Sequence, residues 1–524
     1  MKQTNTSMRN AILLFCILIS TNCTAQTSAI WNNFEKSNAT GTEPILPDFS
    51  YAGYKYSEVP IPVVDYKIFD VTDFGAIAGD NLSDKNAIKK AVAAATEYGE
   101  GIIFFPSGKY YVNTETDDQS IIKIQASKIV FRGEGTIGNG AVLFFEKDLP
   151  PADPEKMWTV PQAIKVSTTL ENKFLTKVIE DAKRETNQIL VADASKIKKG
   201  DWVILKVQNN AEDLIKHDIE PLVIDPKWTA ILEDGVKVNE RHKVAQVLGD
   251  TVTFVEPIHY DIQSKHDWEI YSFAHLNHIG FENLTFEGNY TDDFEHHRSA
   301  RDDSGWSILS ISETVDSWIR DCTFRNVSIP VSFSASAAGT ALNIKVEGKT
   351  GHSSVHAGNG STGILLAKIN DSAGMHHATG VGGGSTTGTV IWRSKHPATT
   401  SFEAHASQPR TTLFDNVEGG FFKGRAGGAV KNLPNHGRHL VLWNYLETDE
   451  ADANFKFVAT DSPYWRVVPP IIVGFHGSGT TFKKDEVQII ESLNTPVQPE
   501  SLFEAQLELR LGTLPEWINQ LKEE

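Results

Sequence analysis

Three consecutive stretches decide the fold. They are Phe69-Asp70-Val71-Thr72-Asp73-Phe74-Gly75-Ala76, then Asn86-Ala87-Ile88-Lys89-Lys90-Ala91-Val92-Ala93-Ala94-Ala95, then Gly101-Ile102-Ile103-Phe104-Phe105-Pro106-Ser107-Gly108-Lys109-Tyr110. The pattern predicts a short strand and turn, an Ala-rich helix of about three turns, and an apolar strand closed by a Pro/Gly turn. Asp84 stands where the helix needs an N-cap, and Asp73 and Asp80 read as capping and turn residues.

This order resembles the opening of pectate-lyase-superfamily proteins, whose first helix plugs one end of a solenoid. The resemblance implies an all-β chain. Its main body is expected to be a right-handed parallel β-helix with an N-terminal capping helix, a small inserted β module and a helical C-terminal extension. Activity does not follow from it, because lyases, hydrolases and phage tailspikes share the architecture.

Downstream, the runs Ile189-Leu190-Val191, Trp202-Val203-Ile204-Leu205, Val244-Ala245-Gln246-Val247 and Thr251-Val252-Thr253-Phe254 alternate around tight turns. They predict an antiparallel module inserted at 147–270. From Leu276 the solenoid resumes. Taking Ile344, Leu366, Val390, Leu413 and Val441 as equivalent gives steps of 22, 24, 23 and 28 residues, the length of one coil. The expected organisation is therefore a signal segment at 1–26, a lead-in at 27–64, the first coils at 65–146, the module, the main β-helix at 271–445 and an extension at 446–524. The apolar residues of 501–524 predict one or two amphipathic helices covering the solenoid's C-terminal end.

Composition narrows the function. Of 524 residues 40% are hydrophobic, enough for a large core, and Gly (39) against Met (4) suits a turn-rich β architecture. The formal charge of −18 argues against a nucleic-acid or anionic-membrane partner, so an anionic ligand must meet a local basic cluster. Lys2 and Arg9 precede an apolar run at 11–19 that is too short to span a bilayer, which predicts an export signal and a periplasmic or secreted protein. Cys23 raises lipidation, but Ser20-Thr21-Asn22 fits that pattern poorly. Cys322 is then the one cysteine of the mature chain, so neither a disulfide framework nor a Cys-based metal site is expected.

The chemistry lies in a second set of short strands. Phe333-Ser334-Ala335, Val355-His356-Ala357, His376-His377-Ala378, Ala404-His405-Ala406 and Gly424-Arg425-Ala426 each end in Ala, with middle residues 22, 21, 28 and 20 apart. Stacked at about 4.8 Å, they predict an outward strip of His356, His377, His405 and Arg425, about 15 Å long. Ser332, Ser354, Met375, Glu403 and Lys423 form a parallel column. A solvated polar face is the plainer reading of such a strip. Side chains pointing the same way do not enclose an ion, so no metal site is expected.

Trp392-Arg393 and Trp443 follow equivalent rung strands and are read as sugar-stacking walls or, equally, as core. Arg410, His436 and Arg438 lie in neighbouring basic loops, and His376 flanks the column. The polar loop 292–303, carrying His296, His297 and Arg298, reads as a lid, a cation site or plain solvated surface.

A row of His and Arg suits β-elimination at a uronic acid, which needs a base near the proton beside the carboxylate and neutralisation of the developing enolate. Either His377 or His405 is the expected base and the other the acid, with Arg425 and Arg410 as carboxylate clamps. His356, His376, Trp392, Arg393, Glu403, Lys423, His436, Arg438 and Trp443 are expected to contact substrate. No cofactor is required, and a divalent cation such as calcium is compatible with this reading. The resemblance implies a lyase, or an oligosaccharide dehydratase, acting on uronate-containing and ulvan-type algal glycans. Many family lyases pair an Arg or Lys base with calcium, and this chain departs from that pattern because its rungs carry no Asp/Glu cluster. Two alternatives stand beside it: a polygalacturonase-type hydrolase, which needs paired carboxylates, and a non-catalytic carbohydrate-binding solenoid.

Overall fold

The computed structural model describes residues 26–136, 140–421 and 427–523. The signal segment expected at 1–26, including Cys23, lies outside these residues apart from Gln26, as do Lys423 and Arg425.

The chain forms a right-handed parallel β-helix. Its longest sheet runs through Ile68–Asp70, Gly101–Phe105, Ile129–Gly133, Gly280–Glu282 and Trp318–Arg320 to Thr340–Glu347, Leu365–Asp371, Thr389–Trp392, Thr412–Asp415, Leu440–Trp443, Ile471–Val473 and Ile489–Glu491. Each neighbouring pair is parallel. A second parallel sheet carries Ser307–Ser312, Ile329–Ser334, His356–Gly358, Gly380–Gly382 and Glu403–His405. Between the sheets, stacked side chains fill the interior. Phe286 and Phe324 lie parallel with ring centroids 4.9 Å apart, the spacing of adjacent strands.

The helix Lys85–Tyr98 closes the N-terminal end and buries Ala87, Ile88, Ala91, Val92 and Ala95. Asp84 occupies its N-cap position, but its carboxylate does not cap the helix. It accepts instead from the amides of Ile77 (2.9 Å) and Tyr111 (2.8 Å), tying the first coil together.

Register departs from the expectation. Thr340, Leu365, Val390, Leu413, Val441, Ile471 and Ile489 stack one above another, so successive coils take 25, 25, 23, 28, 30 and 18 residues. Val390, Leu413 and Val441 align as expected. Leu366 aligns with Ile391, one residue off, and Ile344 pairs with Ile369. The slip arises because both faces of this sheet are apolar. Leu366 and Ile391 point into the solenoid, while Leu365 and Val390 point outward and are equally buried.

The outward face is covered by helix Ala29–Thr40 and by helices Leu502–Leu511 and Glu516–Glu523. The C-terminal helices thus lie along the sheet and do not plug its end, and coils continue past 446 to Glu491. Asp415 fixes the first of these helices by accepting from Ser501 Oγ (2.6 Å), Leu502 N (3.1 Å) and Phe503 N (2.9 Å).

Between the early coils and the main solenoid lies a six-stranded antiparallel sheet spanning Phe174–Lys177 to Glu269–Ser272. Its core reaches Ala406 and Leu433 on the solenoid. Gln408 anchors the contact by accepting from the Lys237 amide at 2.7 Å. Among the described residues no helix is long and apolar enough to cross a membrane.

Candidate active site

Six histidines meet on the second sheet. His352 and His377 lie just before their strands, at the parallel bridge between Ser353 and His377, where the His377 amide donates to the His352 carbonyl (2.9 Å). Their rings are 5.1 Å apart between centroids. His376 packs 4.7 Å from His377, and His405 stands edge-on to His377 at 5.0 Å.

The loop 291–303 brings in the others. His296 stacks on His376 at 4.1 Å and approaches His352 (5.3 Å) and His377 (5.5 Å), and His297 stacks beneath it at 3.6 Å. The loop is pinned from below. Tyr290 donates to Asp302 (2.7 Å), Arg298 Nε donates to Asp302 (3.0 Å), and the buried Asp303 accepts from the His297 amide (2.9 Å).

One carboxylate organises the cluster. Glu403 Oε2 lies 2.7 Å from His377 Nδ1, with both residues buried at 6% and 4% exposure. Burial pushes the Glu403 carboxyl up, but the charge and hydrogen bond of His377, aided by His405 and His376, bring it below its ordinary value. An ionised Glu403 accepts, so His377 Nδ1 carries a proton, and in the neutral ring Nε2 is the lone pair. Among the described residues Nε2 has no hydrogen-bond partner, nor has either ring nitrogen of His352. Burial holds His405 and His356 below the usual histidine range and takes His352 to about 2. Burial raises Asp303.

Two glycines make room for Glu403. A Cβ at Gly380, its partner on the adjacent strand, would overlap the Glu403 backbone and side chain. A Cβ at Gly427 would overlap both Glu403 Oε1 and the His405 ring.

The structure changes the expected column. The ladder aligns Ser332, His356, Gly380 and Glu403, and separately Ser334, Gly358, Gly382 and His405. His377 precedes its strand by three residues and pairs with Ser353. The strand is Gly380–Gly382, which glycine's poor strand propensity hid. His356 therefore shares a column with Glu403 and not with His405. His376, His377, Glu403 and His405 still converge.

Other expected residues lie elsewhere. Arg410, expected as a clamp, is 2% exposed and paired with the buried Asp218 (3.1 Å), with Nη1 on the Lys237 carbonyl (2.8 Å). It ties the inserted module to the solenoid. Trp392 is fully buried and donates to Glu504 (3.0 Å), which also takes Arg393 (2.7 Å). Trp443 donates to the Pro499 carbonyl (2.9 Å). All three hold the C-terminal cover and form no sugar platform. His436 is buried between Thr412 Oγ1 and the Gly437 carbonyl (2.9 Å each), and burial lowers it to about 4. Arg438 lines a separate cleft of about 320 Å³ with Arg184, His439 and Tyr260.

His352 escaped the sequence reading altogether, because it lies just before its strand and not on it. Its signal was there: it precedes His377 by 25 residues, one coil. His296, His297 and Asp303 carry no sequence pattern beyond that of a polar loop.

Residues 374–521 match a "Domain of unknown function (DUF4955)", and residues 68–144 match "Rhamnogalacturonase A/epimerase, pectate lyase-like". No match is found among curated proteins. Among solved structures, the chain is similar to the tailspike protein gp49 from Pseudomonas phage LKA1, at 12% identity and TM-score 0.45, covering 79% of this chain and 64% of the tailspike. It thus spans less than two thirds of that tailspike's length. It is also similar to PfbA, a surface adhesin of Streptococcus pneumoniae (10% identity, TM-score 0.39, 82% and 79% covered). A third is the family 28 exopolygalacturonase of Yersinia enterocolitica (10%, 0.32, 83% and 79%).

Proposed function

We propose that the protein is an exported carbon–oxygen lyase that carries out β-elimination at a uronic acid of an anionic poly- or oligosaccharide. The observation that carries this is the buried Glu403–His377 pair, which leaves His377 Nε2 as an oriented lone pair beside His405. Glu403 fixes the His377 tautomer, His377 removes the proton next to the carboxylate, and His405 delivers a proton to the leaving oxygen. A carboxylate entering a cluster of six imidazoles raises their proton affinity, which supplies positive charge as the enolate develops. The pectate-lyase-like match over 68–144 supports a saccharide as the substrate class.

A specific observation favours a second reading. Two buried carboxyls flank the cluster, Asp303 held up by burial and Glu403 held down by its imidazoles, the divergence that a hydrolytic acid/base pair requires. Incubation with a panel of uronate oligosaccharides, followed by absorbance and chain length, separates them. Absorbance of a new C=C bond with shortening marks a lyase. Absorbance with loss of one water and no shortening marks a dehydratase. Shortening without absorbance marks the hydrolase and overturns elimination.

A further inference from the structure

We infer that His296, His352 and His377 form a three-histidine site for a first-row transition-metal ion of the zinc type. One nitrogen from each lies within 4.8 Å of the others. A tetrahedral ion with Zn–N bonds of about 2.0–2.1 Å needs its ligand nitrogens about 3.4 Å apart, within reach of small ring rotations.

Three features distinguish this from an incidental group of histidines. First, both ring nitrogens of His352 and Nε2 of His377 are buried with no hydrogen-bond partner among the described residues. Buried polar atoms are otherwise nearly always satisfied, so several converging lone pairs call for a ligand. Second, His377 donates its other nitrogen to Glu403 at 2.7 Å, the carboxylate–histidine arrangement that orients metal-binding imidazoles. Third, the ligands come from two walls, coils of the solenoid for His352 and His377 and the 291–303 loop for His296. Facing walls enclose an ion as a single outward column does not.

Imidazole selects zinc-like ions over calcium, which prefers oxygen. Three protein ligands leave a fourth position for water or a substrate oxygen. The site stands on geometry alone. A bound ion takes the His377 Nε2 lone pair, so in the loaded protein the Glu403–His377 pair orients the ion and proton removal passes to the neighbouring His405. The ion's role there, neutralising the uronate carboxylate, rests on the elimination reading.

The test uses the untagged full chain, stripped with a chelator and titrated with Zn²⁺ by calorimetry, with Co²⁺ as a visible-absorbance probe. One ion per chain and a tetrahedral Co²⁺ spectrum are expected for the wild type and for His405→Ala. His352→Ala and His352→Gln should lose the ion, with circular dichroism confirming the fold, and Glu403→Gln should weaken binding about 10–100-fold. Failure of the wild type to bind one ion overturns the site whatever the variants do. So does retention of wild-type affinity by His352→Gln, or loss of the ion in His405→Ala alone. Binding of one ion without any C=C product leaves the site standing and overturns the elimination reading. C=C formation by protein that takes up no ion does the reverse.

Discussion

Glu403 accepts a hydrogen bond from His377 Nδ1 at 2.7 Å, with both side chains buried. This pairing fixes which imidazole nitrogen faces the rest of the cluster, and the first prediction follows from it. Glu403→Gln keeps the volume but removes the charge that holds the tautomer. Turnover should fall about 10²–10⁴-fold with the melting temperature nearly unchanged. Steady-state kinetics beside a thermal melt checks this, and a wild-type kcat would remove Glu403 from the mechanism.

Gly427 tests the same pair from the outside. Its added Cβ would meet both Glu403 Oε1 and the His405 ring, so Gly427→Ala must push them apart. Displacement of about an ångström costs on the order of 10²-fold in rate. The loss should appear in kcat, while the fold, read by circular dichroism, persists.

Arg410→Ala should act on stability and not on chemistry. It strands Asp218 as an unpaired buried charge, a change worth about 3–5 kcal/mol. A urea titration should show the lower midpoint, and protein still folded should keep the wild-type kcat. A carboxylate clamp would give the opposite pattern.

The pH profile distinguishes the roles of the histidines. In the free protein the imidazoles beside His377 start neutral, because burial holds His405 and His352 below the ordinary value of 6.5, and they gain protons only when a carboxylate enters. If neutral imidazole is the active form, activity is full above 6.5 and is lost only as pH falls through the lowered values. Turnover at pH 6 should therefore remain close to that at pH 7. A steep loss as pH rises from 6 to 7 would instead mean that a protonated His405 is needed in the free enzyme.

The fold was legible where one face of an element is apolar and the other polar. Ala87, Ile88, Ala91, Val92 and Ala95 form one buried stripe on the capping helix, so that helix could be placed from its spacing. Register was not legible, because Leu365 and Leu366 are both fully buried and alternation cannot tell inside from outside. The site was half legible. Glu403 and His405 sit on a strand, and the three residues His376, His377 and His405 still meet. His352 lies just before its strand, and the contacts of His296 and His297 join segments far apart in the chain, which no local pattern reports. Trp392 and Trp443 misled because outward-facing aromatics imply solvent only where nothing covers the sheet, and here helices do.

The central claim is that the Glu403–His377 pair drives elimination at a uronate. It is tested most directly by following absorbance of the new C=C bond from uronate oligosaccharides with wild-type protein and His377→Ala. The account predicts steady formation of the unsaturated product by the wild type and its loss in the variant, with both proteins folded. Equal rates in the two, or shortened saccharide with no unsaturated product from the wild type, would contradict it.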